Sequence, residues 1–98
     1  MDARYHPAST DAASADPATL VSFEKDVLSF EGPRALAPGA PLSVIVPRDD
    51  GAAITLEGRS LGSRKPRGTE RFEIRARLVS LRRPDREWLE RTLGPRRQ

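Results

Sequence analysis

The sequence predicts a mainly β fold, a small antiparallel barrel of about five or six strands with one C-terminal α-helix. Three stretches carry that expectation. Arg71-Phe72-Glu73-Ile74-Arg75-Ala76-Arg77-Leu78 alternates without a break, the period of a strand with one buried face and one wet face. Leu42-Ser43-Val44-Ile45-Val46 is a strand-forming run stopped by Pro47, and Asp50-Gly51 then leads into a second apolar run, the layout of a hairpin. Pro84 to Leu93 has a proline at a helix start, acids in the first turn and Gly94-Pro95 as a stop.

Taken in order, residues 1–18 are rich in Ala, Ser, Asp and Pro and are expected to form a disordered N-terminal arm. Tyr5 and His6 are its only distinctive side chains, and the lone His is read as an exposed tail residue. The folded domain is expected over residues 19–94. Leu20-Val21-Ser22-Phe23 and Val27-Leu28-Ser29-Phe30 are strand-like. Glu24-Lys25-Asp26 between them fits either a tight turn or an exposed stretch of one longer strand. Gly32-Pro33 ends this run, and Pro38-Gly39 marks a turn. Arg48 to Gly51 forms the hairpin turn, and Ala53 to Glu57 returns with Ile54 and Leu56 on one face. Gly58 and Gly62 suggest a bulge or bend. Arg64, Lys65 and Arg67 lie in a basic loop. On the last strand Phe72, Ile74, Ala76 and Leu78 face inward, while Arg71, Glu73, Arg75 and Arg77 face outward. The helix, at about residues 84–93, is too short to be stable alone and must dock through Trp88, Leu89 and Leu93. Residues 95–98 are read as a basic tail.

Composition narrows the function. Without cysteine there is no disulfide, thiol nucleophile or Cys-type zinc site, and no cluster of metal ligands is visible. The single His stands in the arm, and Asp49-Asp50 sits in a solvated turn without the burial that shifts carboxyl groups toward acid–base work. No catalytic residue is assigned, and a non-enzymatic binding module is expected. No apolar run approaches the ~18 residues of a membrane span, and the polar N-terminus does not read as a signal peptide. A cytoplasmic protein without membrane insertion is therefore expected.

Charge is uneven along the chain. Residues 1–58 carry four basic and nine acidic residues, a net −5; residues 59–98 carry thirteen basic and five acidic, a net +8. Fifteen of the seventeen basic residues are Arg, which suits planar, bidentate phosphate and guanine contacts. An acidic or phosphate-bearing partner follows from this, and so does the simpler reading of a solvated basic face.

Three segments give the chain a resemblance to the PilZ domain, a bacterial barrel that serves as a cyclic-di-GMP receptor. Leu28-Ser29-Phe30-Glu31-Gly32 resembles the Ser-x-x-Gly half of that family's [D/N]-x-S-x-x-G motif. The stretch from Leu36 through Gly39 to Leu42 is similar to the family's entry into a strand, and Leu78 to Leu93 is similar to its closing strand, turn and helix. The resemblance implies a PilZ-like barrel with Ser29 and Gly32 as ligand-binding residues. The chain departs from the pattern at two places. Val27 stands where the family has Asp or Asn, and the upstream Arg-x-x-x-Arg pair is represented by Arg4 alone, with Ala8 at the second position.

The reading that follows is a PilZ-like adaptor in cyclic-di-GMP-linked or motility signalling, working by contact with a protein partner and with weak or no nucleotide binding. Arg71, Arg75 and Arg77 are its candidate basic interaction face. One alternative is a cyclic-di-GMP receptor using Ser29 and Gly32. A second is a small basic nucleic-acid-binding barrel, disfavoured because Phe72 and Trp88 are assigned to packing, which leaves no stacking platform. No cofactor is assigned.

Overall fold

The computed structural model describes residues 1–48 and 51–95. Asp49 and Asp50 of the expected hairpin turn, and Arg96 to Gln98 of the expected tail, lie outside the described residues. Six strands close into one antiparallel barrel: β1 (Asp2–Pro7), β2 (Asp16–Glu24), β3 (Val27–Gly32), β4 (Pro41–Pro47), β5 (Ala53–Arg64) and β6 (Phe72–Val79). Around the barrel the order is β1-β2-β3-β6-β5-β4, with β4 pairing back onto β1. The helix α1 (Arg83–Thr92) follows β6, so the mainly β barrel with a C-terminal helix is the architecture observed. Closure leaves no sheet edge open to pairing.

The largest departure from expectation is at the N-terminus. The presumed arm supplies β1 and the first residues of β2, and a single 3-10 turn at Ala12–Ser14 separates them. β1 closes the barrel between β2 and β4. Its inward side chains are Ala3 and Tyr5, and Tyr5 is fully buried. Tyr5 stacks edge-on against Phe30, with ring centroids 4.9 Å apart. Its hydroxyl donates to the Arg34 carbonyl oxygen (2.6 Å) and accepts from the Arg34 N–H (2.8 Å). One aromatic residue thus anchors both the first strand and the loop after β3. His6, expected in solvent, is buried as well. Its Nδ1 lies 2.8 Å from the Pro7 carbonyl oxygen, which can only accept, so that nitrogen carries the proton.

β2 and β3 form a hairpin whose two turn residues, Lys25 and Asp26, both have positive φ, at 51° and 66°. That is the geometry of the tight turn matching strand twist, and it settles the two readings of this segment in favour of a turn. β5 runs on through Gly58 and Gly62 to Arg64, well past the expected end. Gly58 is required by the pairing with β6, since a Cβ there would lie 2.5 Å from the Arg77 carbonyl oxygen.

The core is the barrel interior. Leu20, Phe23, Leu28, Phe30, Leu42, Val44, Val46, Leu56, Ile74, Ala76 and Leu78 fill it, and every described buried polar side-chain atom has a partner. The expected inward set on β6 is confirmed, with Phe72 half-buried against the core. At one end Leu36 is buried, held by its N–H to Ser63 Oγ (2.8 Å) and by its carbonyl oxygen accepting from the Ser60 and Ser63 hydroxyls. At the other end α1 docks through Trp88 and Leu89, both buried, with Leu93 partly so. The Gly94 carbonyl oxygen accepts from the Phe23 N–H (2.8 Å), Arg86 pairs with Asp26, and the Arg48 guanidinium lies 5.7 Å from the Trp88 ring centre. Among the described residues no helix is long and apolar enough to cross a membrane.

Candidate functional site

The strand pairing brings the outward side chains of β3 and β6 side by side. Ser29 lies opposite Arg75 on β6 and opposite Ser22 on β2, and Val27 lies opposite Arg77. Both flanking strands break register at this level. β2 slips between Leu20 and Ser22, and β5 slips between Ser60 and Gly62. A bulge bends its strand and increases local twist. The two bulges border an open groove of about 870 Å³ on the outside of the barrel. Its floor is Val27, Ser29, Arg75 and Arg77. Its walls are Ser22, Glu24 and Lys25 on one side and Leu61, Gly62, Ser63 and Arg64 on the other, with Glu73 at the Arg64 end.

The groove is cationic. Lys25, Arg64, Arg75 and Arg77 face Glu24 and Glu73, four positive charges against two negative, a net +2. Arg64 and Glu73 pair with each other at 3.5 Å. Among the described residues the Arg75 and Arg77 side chains make no hydrogen bond or ion pair. Arg77 also lies directly opposite Arg59 on β5, an arrangement that costs rather than contributes stability. Arg59 turns instead toward the Gly39 carbonyl oxygen, at 3.2 Å.

The candidate residues thus separate. Ser29, Arg64, Arg75 and Arg77 are brought together. Gly32 is not: it is buried beneath the Tyr5 ring, and a Cβ built on it would fall 2.3 Å from Tyr5 Cε1. Arg71 is not either. It precedes β6 and reaches around to donate to Thr19 Oγ1 (3.2 Å) and to the Glu31 carbonyl oxygen (2.9 Å). There it lines a second cavity, about 770 Å³, with Arg4, Pro17, Pro33, Ile45 and Pro47. Of the basic loop, Lys65 pairs with Glu70 at 3.7 Å and lies 6.0 Å from the Phe72 ring centre, while Arg67 is exposed; neither lines the groove.

Sequence reasoning did not place Ser22, Lys25 or Leu61 in the site. Gly62, with φ of 128°, carried a signal for the β5 bulge; the β2 bulge at Val21 carried none. The Tyr5 hydroxyl, which lies away from the groove, is displaced from its ordinary pKa. Burial raises the Tyr5 hydroxyl above its ordinary value, partly offset by its hydrogen bond with Arg34. No group of three or more His, Cys, Asp or Glu that could hold a metal occurs among the described residues. The groove therefore offers charge, hydroxyl groups and a little apolar surface: the means to bind an anionic partner. Comparison with protein-family models, curated protein sequences and solved structures returns no match to this chain.

Proposed function

We propose that this barrel is a PilZ-like adaptor in bacterial cyclic-di-GMP-linked or motility signalling, acting through protein–protein contact at the β3–β6 groove with weak or no nucleotide binding. The single observation that carries the reading is the pair Arg75 and Arg77, adjacent on one open face and without a side-chain partner among the described residues. The closed barrel and closing helix are the architecture the PilZ resemblance implies.

The departures from the family's motifs direct the proposal to protein rather than nucleotide. Laid on Ser29, the six-residue motif has Val27 at its acidic or amide position and Gly32 under Tyr5. Laid on Ser22, it has Leu20 at that position and Lys25 in place of the glycine. Both placements put an apolar side chain where the motif needs a polar one. Arg4, what remains of the upstream pair, lines the other cavity and donates to the Ala15 carbonyl oxygen at 2.9 Å. A lost charge-assisted hydrogen bond is worth about 1.5–3 kcal/mol and about 1.4 kcal/mol is tenfold in affinity. Two such losses remove roughly two to four decades of nucleotide affinity.

A receptor reading has one observation in its favour, the placement of Ser29 beside Arg75 and Arg77. Calorimetry with cyclic di-GMP separates the two. The adaptor reading expects no saturable heat at about 100 μM nucleotide, equivalent to only ~5.5 kcal/mol. It also expects cross-linking to a specific protein partner, lost in the Arg75→Glu/Arg77→Glu variant. Saturable nucleotide binding abolished by the same substitutions would replace the adaptor with a receptor. A nucleic-acid reading has less support, because Trp88 is buried at the helix seam and Phe72 half-buried against the core, and the groove lining has no aromatic side chain.

A further inference from the structure

The charge asymmetry of the sequence becomes a direction in space. β5 and β6 pair along their length, so the basic second half of the chain presents Arg59, Arg75 and Arg77 on one continuous outer surface. Because the barrel is closed, a partner cannot add a strand to it by backbone pairing. Recognition here is by side chains. Arg75 and Arg77 are alternate residues of one strand, so their Cα atoms are about 6.6–6.8 Å apart. Any other extended chain repeats its same-face side chains at that same interval. Beside the two arginines, Leu61 stands 43% exposed on the bulge of β5, and Val27 is half-buried on the floor. The groove is therefore cationic along β6 and apolar at one wall.

We propose that the occupant of this groove is an extended acidic segment of a protein partner, with carboxylates two residues apart meeting Arg75 and Arg77 and a neighbouring apolar side chain resting on Leu61. The proposal rests on the adaptor reading and names the partner's chemistry. Charge complementarity selects the class. The net +2 groove repels a basic segment and gives a neutral one nothing to neutralise the two arginines. The alternation of the partner selects its conformation, since two carboxylates at positions i and i+2 of a strand reach both guanidinium groups without a bend. Glu24, exposed at the lip beside Lys25, sets one boundary of the acidic stretch, because a carboxylate there meets a like charge.

The test uses the full chain and a fluorescein-labelled probe peptide, Glu-Ser-Glu-Thr-Leu, with Gln-Ser-Gln-Thr-Leu as its neutral match. Fluorescence polarisation is expected to show saturable binding of the acidic peptide and at least about tenfold weaker binding of the neutral one. Arg75→Glu/Arg77→Glu abolishes binding, Leu61→Ser weakens it, and raising the salt from about 50 to 300 mM weakens it further. Circular dichroism melts of each variant confirm that the barrel is folded. Equal binding of both peptides, or binding that survives the double charge reversal in a folded protein, overturns the proposal. If the acidic peptide fails while cross-linking to a protein partner still depends on Arg75 and Arg77, the acidic-strand occupant is wrong and the adaptor reading stands. Cyclic di-GMP that saturates the groove overturns both. Concentration-dependent self-association in sedimentation, lost on the same charge reversal, places a second copy of this chain there and overturns the proposal.

Discussion

Ser29 and Gly32 stand three residues apart on β3 and serve opposite sides of the barrel wall. Ser29 faces out, in register with Ser22 and Arg75, on the floor of a cationic groove. Gly32 is buried under Tyr5, at the seam where the first strand and the β3–β4 loop are locked together. Side chains of a strand alternate with a period of two, so residues separated by three face opposite ways. On a strand, the Ser-x-x-Gly spacing therefore assigns its two residues to two jobs. Gly32 is fixed by packing under Tyr5, while Ser29, itself only 9% exposed, lies on the floor of the outer groove. Sequence adjacency on β3 says nothing about which residues share a site.

Substitutions can break this division. The largest effect is expected at the seam. Gly32→Ala drives a methyl group to within 2.3 Å of the Tyr5 ring, and a clash this close belongs at or beyond the upper end of the about 1–3 kcal/mol that overpacking typically costs. Urea unfolding should show a large drop in midpoint, and in a Tyr5→Ser background the same change should cost much less, which is the signature of direct coupling. Leu89→Ala, which empties the helix anchor, should cost about 2–5 kcal/mol by the same measurement. Equal sensitivity of Gly32 in both backgrounds would break the comparison by detaching the glycine from Tyr5.

Smaller effects sharpen the contrast. Tyr5→Phe leaves the Arg34 N–H and carbonyl oxygen without their partner, at a cost of about 1–3 kcal/mol. It should also alter the pH dependence. Burial raises the Tyr5 hydroxyl in the folded state above its ordinary value near 10. The neutral hydroxyl's contribution is therefore fully present below that unfolded value and is lost as pH rises through the raised folded one. The stability difference between wild type and Tyr5→Phe should shrink above pH 10. On the open face, Arg75→Glu/Arg77→Glu should change stability by no more than about 0.5 kcal/mol. A small gain is consistent with relief of the Arg59–Arg77 opposition. Only partner binding should be lost.

Much of the fold was legible because its signals are local. The β6 alternation, the β4 run and the Pro84-to-Gly94 helix each needed no information from elsewhere in the chain. β1 was not legible, because its inward face is only Ala3 and Tyr5 and the flanking sequence has the composition of a flexible tail. Its stability comes from pairing with β2 and β4 and from the bond to Arg34, twenty-nine residues away. The site was half legible. Arg75 and Arg77 follow from parity alone. Arg71 has the same parity but precedes the strand and bends away to Glu31. Ser22 on β2, and Gly62 and Arg64 on β5, join the groove only because two bulges shift the register, and a bulge leaves little trace in composition. Leu61 keeps the outward parity of Glu57 and Arg59 but lies past the expected end of its strand.

The most direct test of the groove as the protein's working surface is a 1H–15N correlation spectrum of the labelled chain titrated with the acidic probe peptide. If the groove is that surface, the Val27, Ser29, Gly62, Arg75 and Arg77 amides shift, with Tyr5 and Gly32 unmoved. No shift up to about 1 mM peptide, which would leave less than ~4 kcal/mol of binding, would contradict it. So would shifts gathered instead around Ile45 and Pro17 at the second cavity.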